Sequence, residues 1–245
     1  LPVSSVQASI FKNAEKIGIP APKAAFPLFE GSGYPRNYMS GEIGTLYGSK
    51  APVWTVGPQG MELVWQESST GFMFSTGIEG MTYGSNDKWS AFAIARAPGT
   101  SKTPILSVGQ TTSDYWHSLN VQYGIVENPL STFSVDAYAV AEASSINNNL
   151  FYNISIGGAN YSNKYRKAWA GINGTVTVGE NTSTATNRAL ITRLGLGIRT
   201  DSTPFGYNPI INLAFLWPTW AIDDSVFYFL NDNPYYLLHR VPPVF

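Results

Sequence analysis

The sequence predicts an all-β domain, a two-sheet jelly-roll sandwich, on three observations. Short apolar runs of four to eight residues alternate in period two, most clearly in Trp89-Ser90-Ala91-Phe92-Ala93-Ile94-Ala95-Arg96. Gly, Pro, Asn and Ser punctuate these runs about every 8–12 residues, the spacing of sandwiches rather than of alternating helices and strands. Charged residues make up only 13% of the 245 residues, beside 23 Gly, 16 Pro and 14 Tyr. Soluble domains carry roughly 25% charge, so this surface suits contact with other proteins or is simply built from Ser, Thr and Asn. A chain of this length buries a large core without covalent staples.

In chain order, residues 1–25 read as an N-terminal arm. Ser9 to Gly18 predicts a short helix, closed by Gly18, Pro20 and Pro22, and the rest of the arm reads as extended. Its apolar residues Val3, Ile10, Phe11 and Ile17 are expected to lie on the chain's own domain or on a neighbouring subunit. From Phe26 to residue 235 the pattern is that of half-buried strands: FPLF, GTLYG, PVWTVGPQGMELVW, GFMFS, SAFAIARA and TPILSVG. Further strands are expected at Ser118–Val126, Thr132–Ala141, Phe151–Ile156, Lys164–Ile172, Thr175–Val178, Ala189–Gly195 and Ile210–Trp217. Asn173-Gly174 is the strongest hairpin signal, because both residues tolerate positive φ. Ser144–Asn149 and Gly179–Thr186 read as polar loops, and no repeat of 20–50 residues occurs. One clear helix follows, with Asp223 as its N-cap, Val226, Phe227 and Leu230 at helical spacing, and Pro234 beyond its end. Residues 236–245 form a tail in which Val241, Pro242, Pro243, Val244 and Phe245 are extended and apolar, a docking segment for this subunit or another.

Composition excludes several function classes. The net charge of -1, with no basic tract, lacks the phosphate-neutralising charge that drives nucleic-acid binding. The absence of cysteine excludes disulfides, thiolate metal sites and cysteine nucleophiles. The longest apolar run, Pro209 to Ile222, is interrupted by Asn212 and two prolines and is too short for a membrane helix. The first residues carry no signal-peptide pattern, although the numbering begins at Leu1 rather than Met.

Three stretches together resemble the laminin G-like/concanavalin A-like domains of bacteriophage virion proteins. The first is FPLFEGSG, residues 26–33, leading to Ser40-Gly41-Glu42-Ile43-Gly44-Thr45-Leu46, Pro52-Val53-Trp54 and Gly57-Pro58-Gln59-Gly60-Met61-Glu62-Leu63. The second is the WAGINGTV hairpin, Trp169–Val176. The third is LAFLWPTWAIDDSVFYFLND, Leu213–Asp232, with Asn233-Pro234-Tyr235-Tyr236-Leu237-Leu238 after it. Order and spacing match over about residues 26–240. Two departures stand out: Asn37 where the family often has Asp, which weakens a carried-over calcium or polar-network role, and Val226 where the closing helix usually has Glu, which implies a more apolar setting.

The resemblance implies a non-catalytic virion protein, either a capsid decoration or a tail component. Its partners would be other virion proteins and copies of itself, and its place the virion assembled in the host cytoplasm. The arm and tail would carry the contacts, so deleting residues 1–25 is expected to leave the domain folded while abolishing assembly.

The residues themselves point away from catalysis. Glycoside hydrolysis, the enzyme class this fold could host, needs two carboxylates facing one cleft. Asp223-Asp224 reads as a helix cap, and Glu62 and Glu67 fall on opposite faces of a regular strand. His117 and His239 stand far apart, and no HExxH, GxSxG, Walker or GxGxxG arrangement is present. No metal or cofactor site is assigned; calcium has only the isolated Asp87, Asp114, Asp136 and Asp201 as candidates, and none clusters with another acid. Asn153, Asn160, Asn173 and Asn181 lie in N-x-Ser/Thr sequons, which arise by chance in so polar a chain. The alternative to a structural role is a lectin-like adhesin, in which Tyr115 and Trp116 supply aromatic faces and Asn147 and Asn148 planar amides for a surface glycan. Trp and Tyr serve cores and interfaces equally well.

Overall fold

The computed structural model describes residues 3–57, 60–67, 70–83, 88–96, 103–109, 116–123, 129–135, 137–142, 154–162, 165–172, 175–181, 189–198 and 209–239. Its strands are β1 (Ala24–Phe26), β2 (Thr45–Tyr47), β3 (Val53–Gly57), β4 (Gly60–Val64), β5 (Gly71–Phe74), β6 (Thr82–Tyr83), β7 (Trp89–Arg96), β8 (Thr103–Gly109) and β9 (Trp116–Tyr123). They continue with β10 (Pro129–Val135), β11 (Ala137–Glu142), β12 (Ile154–Ser162), β13 (Tyr165–Ile172), β14 (Thr175–Asn181), β15 (Ala189–Leu190), β16 (Arg193–Leu196) and β17 (Ile210–Trp217). Helices α1 (Val3–Lys16) and α2 (Asp224–Asp232) and a single 3-10 turn, Tyr236–Leu238, complete the described elements.

Two antiparallel sheets face each other, as the sequence predicts. One runs β14-β13-β12-β7-β17-β4-β3, with β1 also paired to β17; the other runs β11-β10-β9-β8-β16-β5-β2. Between them lies a core to which Phe72, Phe74, Leu106, Val108, Leu194 and Leu196 contribute from the second sheet. Trp89, Ala91, Ala93, Ala95, Ile156 and Leu216 face them from the first.

The central strands of the first sheet, β7 and β17, are not half-buried. In β7 the odd-numbered residues enter the inter-sheet core, while Phe92 and Ile94 enter a second core on the opposite face. That second core is built by Val6, Ile10 and Ala14 of α1, Phe227 and Leu230 of α2, Leu237, and Leu213, Phe215 and Trp217 of β17. A sheet covered on both faces loses the apolar-in, polar-out signature, and β7 indeed reads as almost continuously apolar.

The N-terminal segment differs from the expected extended arm. The helix spans Val3–Lys16 rather than starting at Ser9. Residues 6, 10 and 14 lie one above another on its inner face at helical spacing. The boundary at residue 25 falls inside β1, which pairs Ala24↔Leu216, Ala25↔Phe215 and Phe26↔Ala214. Deleting residues 1–25 would therefore strip one wall of the second core, and loss of folding is the expected result.

Two expected strands are split in two. Thr132–Ala141 is a hairpin, β10 and β11, paired as tightly as Val135↔Ala137. Ala189–Gly195 divides into β15, which pairs with β6, and β16, which lies between β5 and β8. The hairpin expected at Asn173-Gly174 is present: β13 and β14 pair up to Ile172↔Thr175.

Gly157 sets how α2 sits. A Cβ there would come within 2.6 Å of the Phe227 ring, which stacks on Trp169 at 5.4 Å and 13°. The α2 N-terminus forms as expected, with the Asp223 carboxylate accepting from the Val226 N–H at 2.9 Å. Val226 itself packs against the second core, in keeping with the apolar setting implied by the missing Glu.

Candidate functional site

Two surfaces stand out among the described residues. The first is a cavity of about 350 Å³ lined by Pro27, Phe29, Gly60, Met61, Asn212, Tyr235 and Leu238. Three irregularities of the backbone converge on it. Leu28, between Pro27 and Phe29, holds φ +47 although it is not glycine, a left-handed conformation that L-residues rarely adopt. This switch sends Leu28 into the inter-sheet core and Phe29 against the second one.

Gly60, at the start of β4, has φ +111, which glycine adopts without penalty. At Asn212 the register of β17 against β7 slips between Ile211 and Leu213. This β-bulge adds one residue, so Ile211 faces one core and Leu213 the other although they are two apart. The Asn212 amide donates to the Met61 carbonyl at 2.9 Å and bridges β17 to the cavity wall. Bulges and positive-φ residues gather where a fold re-aims side chains for use. The Tyr235 hydroxyl is held above its ordinary range by burial and then by the nearby Glu62 charge.

The second surface is the open edge of the sandwich, where the outermost strands β2 and β3 lie on the same side. Tyr34 (46% exposed) rests on Phe72 with ring centres 5.2 Å apart, and Trp54 packs against the inter-sheet core while donating to the Gly33 carbonyl at 2.8 Å. Ile43, Tyr47, Val53 and Val56, in β2, β3 and the segment before them, are also exposed, Val56 at 82%. Of the seven large exposed hydrophobics among the described residues, five fall between positions 34 and 56; the others are Phe11 and Tyr228.

The loop behind this edge is held by carboxylates with structural partners. Burial alone would raise the Glu42 carboxyl, but four donors outweigh it and the group lies below its ordinary range. These are the Ser75 N–H and hydroxyl and the Thr76 N–H and hydroxyl, at 2.6–3.1 Å. Asn37, fully buried, accepts from the Ala25 and Met39 N–H groups and donates to Thr76 Oγ1. The departure from the family's Asp therefore keeps a polar-network role. Glu30 accepts from the Arg36 N–H at 3.2 Å through Oε1, while Oε2 is buried without a partner; burial pushes its carboxyl up.

No catalytic pair emerges among the described residues. Glu62 is buried in β4, and Glu67 is bound to Ser49 and Lys50 outside that strand. No group of three His, Asp or Glu side chains that could hold a metal ion occurs among the described residues. No helix among them is long and apolar enough to cross a membrane.

The sequence-predicted site residues are placed as follows. Ile10 is fully buried in this chain's own second core, Ile17 packs at that core's margin, and Phe11 is 53% exposed. Val3 opens α1, but its side chain is outside the described part. Val241, Pro242, Pro243, Val244 and Phe245 lie outside the described residues, as do Tyr115, Asn147 and Asn148. Trp116 begins β9 with an undescribed side chain, and the calcium candidates Asp87, Asp114, Asp136 and Asp201 are likewise outside. Both surfaces were missed in the sequence, because a bulge, a left-handed leucine and a shared edge arise from pairing between distant segments.

No protein-family model matches the chain, and no curated protein is similar enough in sequence to count as a relative. Solved structures do resemble it. The binding domain of botulinum neurotoxin serotype G superposes with a TM-score of 0.59 at 11% identity, over 86% of this chain and 50% of that one. A botulinum neurotoxin type C structure, whose passage into cells depends on interaction with two ganglioside molecules, gives 0.52 at 10% identity, over 86% of this chain and 50% of that one. Trypanosoma rangeli sialidase in complex with sialic acid gives 0.61 at 10% identity, over 96% of this chain and 38% of that one. The chain thus spans half or less of these proteins. At such identities the likeness establishes the fold alone: a two-sheet antiparallel β-sandwich.

Proposed function

We propose that this chain is a non-catalytic module that works through protein–protein contacts, with the β2–β3 edge as its contact face. The carrying observation is that the two outermost strands, β2 and β3, and the segment before them expose Tyr34, Ile43, Tyr47, Val53 and Val56 within 23 residues of sequence. The composition supports the same reading, since a chain with only 13% charged residues presents a surface that is inexpensive to desolvate against a partner. The partners are other virion proteins, copies of this chain among them, and the setting is a capsid or tail surface. That part rests on the three-stretch resemblance to phage virion domains. Tyr34, Tyr47 and Trp54 near the β2 and β3 strands favour a second reading, glycan recognition, because aromatic faces also hold sugars and one fold neighbour, botulinum neurotoxin type C, enters cells through interaction with two ganglioside molecules.

Light scattering on the wild-type chain and on the double variant Ile43→Asp/Val56→Asp, with a glycan array run on both, separates the readings. Both substituted residues are more than half exposed, so the variant keeps its fold. The proposal expects a concentration-dependent oligomer that the variant abolishes, with no saturable glycan binding. A monomer at all concentrations that binds a glycan and loses it on Tyr47→Ala would replace the first reading with the second.

A further inference from the structure

We infer that the outer edge of β3 is a strand-pairing site for β3 of a second copy, run antiparallel about a twofold axis at Thr55. The inference rests on the reading of β2 and β3 as a contact face, and it names the partner and the register. On the other side of the sandwich the outermost strands, β11 and β14, lie against each other. β3 instead ends the first sheet, with β4 as its one strand neighbour among the described residues. Such an edge presents N–H and C=O groups ready for another strand, and folded proteins guard it with charges, bulges or cover. Val53-Trp54-Thr55-Val56-Gly57 carries no charge, its register with β4 is unbroken, and Val53, Thr55 and Val56 are exposed.

The register follows from which backbone groups point outward. Gly57 pairs with Gly60 across the turn, Thr55 with Glu62 and Val53 with Val64. A two-residue hairpin loop closes on a hydrogen-bonded pair, and such pairs alternate along an antiparallel ladder. Val53, Thr55 and Gly57 therefore direct their backbone groups at β4, while those of Trp54 and Val56 point away from it. Among the described residues no backbone hydrogen bond outside the ladder reaches either residue. Two residues further along in each direction the sequence has proline, Pro52 and Pro58, with no N–H to give. A twofold centred on Trp54 or on Val56 would set one of these prolines against an outward carbonyl. Centring on Thr55 pairs Trp54 of each copy with Val56 of the other, so every outward donor meets a carbonyl. The side chains agree. Trp54 packs on the inter-sheet core, and Val56, two residues on, shares its face yet is 82% exposed. In this register each Val56 lies beside the Trp54 of the other copy, the apolar cross-strand contact that stabilises sheets.

The absence of native cysteine lets single thiols report the register on the full chain. Thr55 would face itself in a non-hydrogen-bonded pair, with Cα atoms about 4.5 Å apart and within disulfide reach. A thiol at residue 53 would stand four positions, roughly 14 Å, out of line with its copy. Thr55→Cys should therefore form a disulfide dimer at least about tenfold faster than Val53→Cys at equal concentration. Val56→Pro removes an outward N–H from each copy and spares the β3–β4 ladder, as prolines on edge strands do. It should raise the dimer dissociation constant in analytical ultracentrifugation by about tenfold or more. Val56→Thr, which keeps the N–H, should stay within about threefold of the wild type.

A dimer that Ile43→Asp/Val56→Asp abolishes, with Thr55→Cys no faster than Val53→Cys, overturns the strand pairing and leaves the contact face standing. A wild-type chain that is monomeric at all concentrations, with equal thiol rates, overturns both. Equal effects of Val56→Pro and Val56→Thr also overturn the pairing, because the side chain rather than the backbone would then carry the contact. Should Val56→Pro fail to fold, as judged by its melting curve, the thiol comparison decides.

Discussion

Asn13 and His239 lie 226 residues apart, yet the Asn13 amide donates to the His239 carbonyl at 2.7 Å and reaches Tyr236 and Leu237 as well. One buried side chain on α1 thus anchors the far end of the described chain. Asn13→Ala leaves these carbonyls facing a cavity, at a cost of about 1–3 kcal/mol. A chain of this size loses about 2–4 °C of melting temperature per kcal/mol. Thermal denaturation should show that drop, and limited proteolysis should show earlier cleavage after Tyr236. Asn13→Asp should be worse than alanine, since it turns a carboxylate toward carbonyl oxygens.

The same contact shows where the sequence stops being legible. Period-two patterning and turn spacing depend on neighbouring residues, so the sandwich, the β13–β14 hairpin and the Asp223 cap could all be read directly. Nothing local marks Asn13 as the partner of a turn 223 residues away. Ser4, Ser5 and Gln7 dilute the apolar stripe, so the sequence predicts a helix only over Ser9–Gly18, while the structure extends it back to Val3. Its inner face, Val6, Ile10 and Ala14, becomes clear only once the first sheet is known to be covered on both sides. The cavity was invisible for a related reason: Asn212 sits in what reads as an unbroken strand, and the bulge there depends on β7 being its partner.

Glu30 and Glu42 should respond to pH in opposite ways. Glu42 lies below its ordinary value of 4.5 in the folded chain, so its contribution is complete above that value and is lost as pH falls through the folded one. Glu42→Gln should lower stability at pH 7, and its difference from wild type should shrink in acid. Glu30 lies above 4.5, so the wild type loses stability as pH rises from the unfolded value through the folded one. Glu30→Gln should match the wild type in acid and exceed it at pH 7. Urea denaturation of the three chains between pH 3 and pH 8 reads both signs, and parallel curves for Glu30→Gln and wild type would refute the second.

Asp224 ties α2 to β13. Its carboxylate accepts from Lys167 Nζ at 3.0 and 3.1 Å and from Trp169 Nε1 at 2.8 Å, and Lys167 also pairs with Glu180 at 3.1 Å. Burial works against the Lys167 charge, but its hydrogen bonds to Asp224 and Glu180 outweigh that and hold the ammonium above its ordinary range. Asp224 is partly exposed, so the ion pair itself is worth little, about 0–1 kcal/mol. The buried indole N–H matters more. Asp224→Asn, which keeps an acceptor for Trp169, should cost well under half of what Asp224→Ala costs in chemical denaturation. Equal losses would show that the charge, not the indole bond, holds the helix.

Gly157 decides how closely α2 approaches the first sheet. It lies on the outer face of β12, opposite Phe92 of β7 and Trp169 of β13, where any Cβ meets the Phe227 ring. That ring cannot yield outward, because it is fully buried, stacks on Trp169 and meets Phe92 edge-on at 5.8 Å. Gly157→Ala therefore forces either the ring off its rotamer or α2 off the sheet, an overpacking cost of about 1–3 kcal/mol. A shrunken partner should relieve it: Phe227→Leu alone opens space and destabilises, but combined with Gly157→Ala it should cost less than the sum of the two single losses. A double-mutant cycle on melting temperatures measures this coupling, and strict additivity would mean that the ring and the glycine do not constrain each other.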